Sequence, residues 1–126
     1  MSNKELASLF SRIALYLEID ETPFKPQAYV RAAGAIESLP ESIKEMYDRG
    51  GMQALDQIPG VGRGIAEKIQ EYIKTGKITE YEKLRKKIPV DIEELTSIEG
   101  VGPKMVRDLY KHLNIKTLED LEKAAK

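Results

Sequence analysis

The chain has 126 residues, enough for one domain or two very small ones, and units of that size bury so modest a share of their surface that neighbours must share a core. It contains no cysteine and one histidine, His112, which excludes a disulfide framework, an iron–sulfur cluster and thiolate- or histidine-built metal sites. The formal net charge of -1 argues against a uniformly basic nucleic-acid binder, and no apolar run approaches the length of a membrane span.

Ser2 followed by Glu5 forms a capping box, and Leu6, Leu9, Phe10, Ile13 and Leu17 recur at helical spacing, predicting a helix to about residue 18. The stretch "DETPFKP" interrupts it. Ala28, Ala32, Ala33, Ile36 and Leu39 then mark a second helix that stops before Pro40. A short third helix is expected over residues 41–48, broken by "RGG", with Met52, Leu55 and Ile58 forming a separate short helix. Ile65, Ala66, Ile69 and Ile73 are amphipathic, and Gly76 is placed to cap that helix. Thr79 opens the next helix and Pro89 stops it. Ile92 and Leu95 precede a helix with Pro103 in its first turn and Met105, Val106, Leu109 and Leu113 on its apolar face. Thr117 starts a last helix in "TLEDLEKAA". No segment alternates with period two, so the class is all-α.

Two stretches stand apart. "IPGVGRGIAEKI" at residues 58–69 and "IEGVGPKMVRDL" at residues 98–109 repeat one pattern at an offset of 40 positions. A short helix, a tight glycine turn and a longer helix define a helix-hairpin-helix unit, used here twice. Gly60 and Gly62 are expected to permit positive φ and let another backbone come close. The helix that follows presents unpaired N–H groups and the positive end of its dipole, so phosphate is the natural guest. Main-chain contacts of this kind grip a DNA backbone irrespective of its bases. The candidate DNA-binding residues are Gly60, Val61, Gly62, Arg63 and Gly64, with Gly100, Val101, Gly102 and Lys104. The alternative is that the glycines only close a helical hairpin. Between Leu55 and Lys87 eight cations face five anions, while both flanks are net acidic, which suits a local phosphate contact or an ion-paired helical surface.

The chain also resembles the N-terminal region of a family X DNA polymerase, of the bacterial and archaeal branch. The carriers are "FKPQAYVRAAGAIESLP" (24–40), "LDQIPGVGRGIAEKIQEYIKTGKI" (55–78), "LTSIEGVGPKM" (95–105) and "NIKTLEDL" (114–121). The resemblance implies a lyase-like helical domain over residues 1–87 and a second hairpin over residues 88–126 that opens the next subdomain. It implies binding to gapped or nicked double-stranded DNA in base-excision repair, with one hairpin on each side of the gap. It places a 5′-phosphate near Lys25, Tyr29, Arg31 and Lys68, and makes Lys68 the Schiff-base nucleophile of a 5′-deoxyribose-phosphate lyase that needs no cofactor. It also implies a monovalent cation, Na⁺ or K⁺, on the main-chain carbonyls of Asp56, Ile58 and Val61 and of Thr96, Ile98 and Val101.

Partial burial and nearby cations would favour a reactive amine at Lys68; the bland alternative is a solvated lysine paired with Glu67 or Glu71. For Tyr29 that alternative is a core aromatic with an exposed hydroxyl, and for Lys25 and Arg31 a solvated surface. Gly64, Asp56 and Glu80 stand where the vertebrate members carry lysines, which weakens the expected grip on a 5′-phosphate unless Arg63 compensates. No polymerase active site is expected. Polymerase subdomains are expected to follow in a longer protein, with a place in the cytoplasm beside the nucleoid. The competing readings are a non-catalytic DNA-binding scaffold and a helical protein-interaction domain; His112 is assigned no role.

Overall fold

The computed structural model describes residues 2–23 and 25–124; Phe24 and the expected extension of the last helix to residue 125 lie outside the described residues. Eight helices follow one another, and no strand occurs among the described residues. The first, α1 (Asn3–Ile19), begins as its capping residues require, with Ser2 Oγ accepting the Glu5 N–H at 3.1 Å. Asn3 does a second job. Its side chain donates to the Glu41 carbonyl and accepts the Ile43 N–H, both at 2.8 Å, so it caps the start of α3 (Ile43–Asp56) from a distance.

Helix α2 (Lys25–Glu37) packs along α1, with Ala32 and Ala33 letting the backbones approach while Tyr29 and Ile36 fill the seam against Leu6, Phe10 and Ile13. Phe10 and Tyr29 meet edge to face, with ring centroids 5.5 Å apart. The two short helices expected around "RGG" are both present, running together as α3 across a break at Gly51, whose φ of 62° and ψ of -151° are non-helical and open to glycine alone. Ahead of the break, the Tyr47 hydroxyl accepts from Gln70 of α4 (Arg63–Thr75) at 2.8 Å, tying the first half of α3 to that helix. Gly76 caps α4 in the left-handed conformation, as its position in "KTGK" predicts.

Helices α5 (Thr79–Lys87), α6 (Ile92–Thr96), α7 (Pro103–Leu113) and α8 (Leu118–Ala124) complete the chain. The hydrophobic core is continuous, from Leu6 and Phe10 through Ile69 and Leu84 to Leu95 and Val106, and α1 touches α5, α6 and α7. This is the shared core that small units require. Surface ion pairs join the same elements: Arg12 with Glu93, Lys87 with Asp20 at 3.0 Å, and Arg107 and Lys111 with Glu21. Exposed pairs contribute about 0–1 kcal/mol each, so the core holds the assembly.

One expected apolar face is narrower than its spacing suggests. Val106 is fully buried, but Met105 is 47% and Leu113 63% exposed. Met105 lies one helical step, about 100°, away from Val106. Leu113 is in the last turn, and beyond the left-handed Asn114 it is Ile115 that enters the buried position.

Candidate nucleic-acid interface

The two glycine turns are built bond for bond alike. In the first, the N–H of Ile58 donates to Leu55 at 3.2 Å, Val61 to Ile58 at 3.1 Å and Ala66 to Gly62 at 2.9 Å. In the second, Ile98 donates to Leu95 at 3.3 Å, Val101 to Ile98 at 3.0 Å and Val106 to Gly102 at 3.0 Å. Gly60 and Gly100 take φ of 91° and 83°, the left-handed region that admits glycine. Gly62 and Gly102 are the N-caps of α4 and α7, in extended conformations with φ of -83° and -105°. The expectation of positive φ at Gly62 is therefore corrected: the left-handed turn is completed at Gly60, and Gly62 only has to enter a helix.

That correction sharpens the site. A side chain at Gly62, Gly64 or Gly102 would meet nothing within 4 Å and no φ barrier, so the fold itself does not demand glycine there. Each bare position leaves exposed the start of a helix. Neither Gly62 nor Gly102 offers a side-chain cap, so the N–H groups of Arg63, Gly64 and Ile65 precede the first helical bond of α4; in α7 Pro103 removes one such donor, leaving Lys104 and Met105. Both helix starts are suited to an anion.

A cleft of 660 Å³ opens beside the first turn, lined by Lys25, Tyr29 and Arg31 of α2, by Gly60, Val61, Gly62 and Gly64, and by Lys68 and Glu80. The sequence-predicted residues of the first hairpin and of the 5′-phosphate set thus share one cavity, apart from Arg63. Arg31 lies against the turn: a Cβ on Gly60 would be 3.4 Å from Arg31 Cγ and from Ala35 Cβ. Arg63 is exposed and pairs with Asp56 at 2.6 Å and with Glu67 at 3.9 Å, so the cation expected to compensate for lost lysines is engaged at the rim.

Glu80 lies at the centre of the cleft's charges. Its Oε2 accepts the Tyr29 hydroxyl at 2.9 Å and is 3.4 Å from Lys68 Nζ, while Oε1 is 3.7 Å from Lys25 Nζ. Glu67 and Glu71, the expected partners of Lys68, are engaged by other groups, although Glu67 also lines the cleft. Glu67 meets Arg63, and Glu71 accepts both the N–H and the hydroxyl of Thr79, pinning the start of α5 to α4. The Thr79 hydroxyl holds the Glu71 carboxyl below the usual range. Nor is Lys68 surrounded by cations, as its neighbourhood in the sequence suggests; a carboxylate stands between it and Lys25.

The ring of Tyr29 is buried against Phe10, while its hydroxyl faces the cleft and is bonded to Glu80. Burial first, then the charge and hydrogen bond of Glu80, push its hydroxyl well above the ordinary tyrosine range. The folded chain therefore holds this proton where the unfolded chain loses it, near pH 10, so the associated stability is complete below about pH 10 and falls as pH rises beyond it. Tyr16, raised chiefly by burial, acts in the same direction. Urea melts across that range are expected to show a steeper alkaline loss in the parent than in Tyr29→Phe; equal slopes would contradict the assignment.

The second hairpin has a different setting. Lys104 and Arg107 line a 490 Å³ hollow with Glu18 of the last turn of α1 and Glu21 of the α1–α2 turn, so Lys104 stands at the start of α7 beside acidic neighbours. Among the described residues no group of three or more His, Cys, Asp or Glu could hold a metal ion, so a cation at either turn would use main-chain oxygens. The donor set fits a hard monovalent ion: Asp56 and Thr96 end their helices, and the Ile58 and Ile98 carbonyls each accept one N–H and keep a second lone pair. Among the described residues no helix is long and apolar enough to cross a membrane.

Two glycine turns of one design, each between helices, are what family comparison also recognises. A family model described as a helix-hairpin-helix domain matches residues 1–78, and one described as a SAM-like helix-hairpin-helix tandem matches residues 92–126. The chain belongs to the helix-hairpin-helix domain family. Over 125 residues it is 34% identical to the DNA polymerase/3'-5' exonuclease PolX of Bacillus subtilis (strain 168), covering 98% of this chain and 21% of that protein. It is 25% identical over 119 residues to DNA polymerase lambda of Rattus norvegicus, covering 94% of this chain and 19% of that one. To DNA polymerase lambda of Arabidopsis thaliana it is 29% identical over 122 residues, covering 95% and 22%. These relatives are consistent with the N-terminal region of a family X polymerase, and the chain spans about a fifth of their length.

Proposed function

We propose that this chain binds the backbone of gapped or nicked duplex DNA without regard to sequence, as the N-terminal part of a family X polymerase acting in base-excision repair. One hairpin grips on each side of the gap, residues 1–87 carrying the lyase-like part and residues 88–126 the second grip. The observation that carries this reading is the pair of matched turns, each with an open glycine in front of unpaired helix N–H groups. A Na⁺ or K⁺ ion on the carbonyls of Asp56, Ile58 and Val61, and another on those of Thr96, Ile98 and Val101, would supply positive charge facing the phosphates. The cytoplasm, beside the nucleoid, is the compartment that goes with this reading.

The cleft takes the 5′ end. Lys25, Tyr29, Arg31 and Lys68 meet the phosphate, and Lys68 supplies the lyase nucleophile. As the free amine it attacks C1′ of the open-chain deoxyribose and loses water to give an imine. Loss of the C2′ proton then drives the electron pair toward C3′, the C3′–O bond breaks, and the downstream strand leaves with its 5′-phosphate. Hydrolysis of the imine returns the lysine. A non-catalytic scaffold is the second reading, favoured by the pairing of Lys68 with Glu80.

Binding measured on intact, nicked and gapped duplexes at several salt concentrations tests the proposal. The gapped duplex with a 5′-phosphate is expected to bind tightest, with a shallow salt slope because main-chain donors release no counterions of their own. Lys25→Ala should lose about tenfold of the preference for a 5′-phosphate over a 5′-hydroxyl. Equal binding to all duplexes, or a loss of the same size at both ends, would contradict the assignment.

A further inference from the structure

We infer that Glu80 is an internal occupant of the 5′-phosphate site, a carboxylate that an incoming phosphate has to displace, and so the residue that sets how strongly a phosphorylated end is preferred. This rests on the reading of the cleft as a phosphate site. The partners of Glu80 are Tyr29, Lys68 and Lys25, three of the side chains that reading requires, and they reach it from two different helices.

The arrangement lets Glu80 yield. Its distances of 3.4 and 3.7 Å to the two ammonium groups are longer than the 2.7–2.9 Å of a tight charged hydrogen bond, so neither lysine is fully satisfied. Exposure rises from 20% for the Glu80 side chain to 33% for Lys68 and 61% for Lys25, so the carboxylate is deepest and the cations lie toward the mouth. A terminal phosphate carries more charge than one carboxylate and three acceptor oxygens, and can take both lysines from the open side. The backbone of α5 stays in place, because Glu71 holds Thr79. Displacement is then a rotation of one flexible side chain in the first turn of α5.

Glu80→Gln is the incisive variant, since the amide oxygen can still accept from Tyr29 while the charge is gone. Dissociation constants are measured for one gapped duplex carrying either a 5′-phosphate or a 5′-hydroxyl. Glu82→Gln serves as the charge-matched control, because Glu82 pairs with Arg85. The parent should prefer the phosphate, Glu80→Gln should raise that preference by about tenfold through tighter binding of the phosphorylated end, and Glu82→Gln should leave the ratio at the parent's value. Glu80→Ala, with unchanged circular dichroism, should move the ratio the same way. A parent that discriminates and Glu80 variants that discriminate no better would overturn the inference while leaving the phosphate site standing. Absence of discrimination in parent and variants alike would overturn both.

Discussion

Borohydride is expected to trap a covalent complex between the parent chain and a 5′-deoxyribose-phosphate duplex, and Lys68→Ala to reduce that trapping by about a hundredfold or more. The size of the effect follows from the chemistry. Imine formation needs a primary amine within reach of C1′, and a neighbouring lysine would have to leave its own position to replace it. Lys68 is one turn inside α4, on the border between the buried Ile65 and Ile69 and the cleft, so its backbone is fixed while its amine is accessible. Lys25 is the nearby substitute, but it lies across Glu80 on α2 and is mostly exposed. Truncating a partly exposed side chain should leave the melt almost unchanged, and Lys74→Ala, an exposed position in the last turn of the same helix, should trap as the parent does. Undiminished trapping in Lys68→Ala would remove that residue from the role. No trapping in the parent would leave the scaffold as the better reading.

Gly62→Val and Gly102→Val are each expected to weaken DNA binding about tenfold or more while the chain stays folded. Neither position needs positive φ and neither Cβ would meet a neighbour, so the cost to the fold is confined to a poorer N-cap, about 1 kcal/mol or less. A valine would instead stand in front of the helix N–H groups and keep a phosphate away, forfeiting charged hydrogen bonds of about 1.5–3 kcal/mol. The first hairpin should be the more sensitive, because Pro103 leaves the second with one donor fewer. Gly60 is a poor probe for the same question. Its φ of 91° and its closeness to Arg31 and Ala35 mean that a side chain there would strain the turn itself.

Much of this architecture is legible in the chain because it is local. The Ser2 cap, the left-handed Gly76, the Pro103 start and each glycine turn depend on residues within a few positions of each other, and the repeat of the turn at an offset of 40 is visible as a repeated string. Helical spacing also identified Ile65, Ala66 and Ile69 as core. What escaped the sequence is contact across long separations. The bond from Tyr29 to Glu80 spans 51 residues, and no periodicity says that the first turn of α5 opens onto α2. Within α4 the sequence offered Lys68 two partners, Glu71 about one turn on and Glu67 next to it in the chain, yet the chosen partner came from another helix. In the sequence Glu80 stands out only as a departure from lysine, with no sign that it faces Lys25 and Lys68 together. The exposure of Met105 and Leu113 follows from position on α7 itself, one a helical step from the buried Val106 and the other in the last turn.

The central claim is that two matched glycine turns hold one DNA backbone, and the double variant Gly62→Val, Gly102→Val tests it most directly. Its affinity for a 5′-phosphorylated gapped duplex is compared with the parent's at one salt concentration, with circular dichroism confirming the helices. The account predicts a loss of about a hundredfold, close to the product of the single losses, since the turns lie on separate hairpins and act on separate phosphates. A folded double variant that binds as tightly as the parent would contradict it.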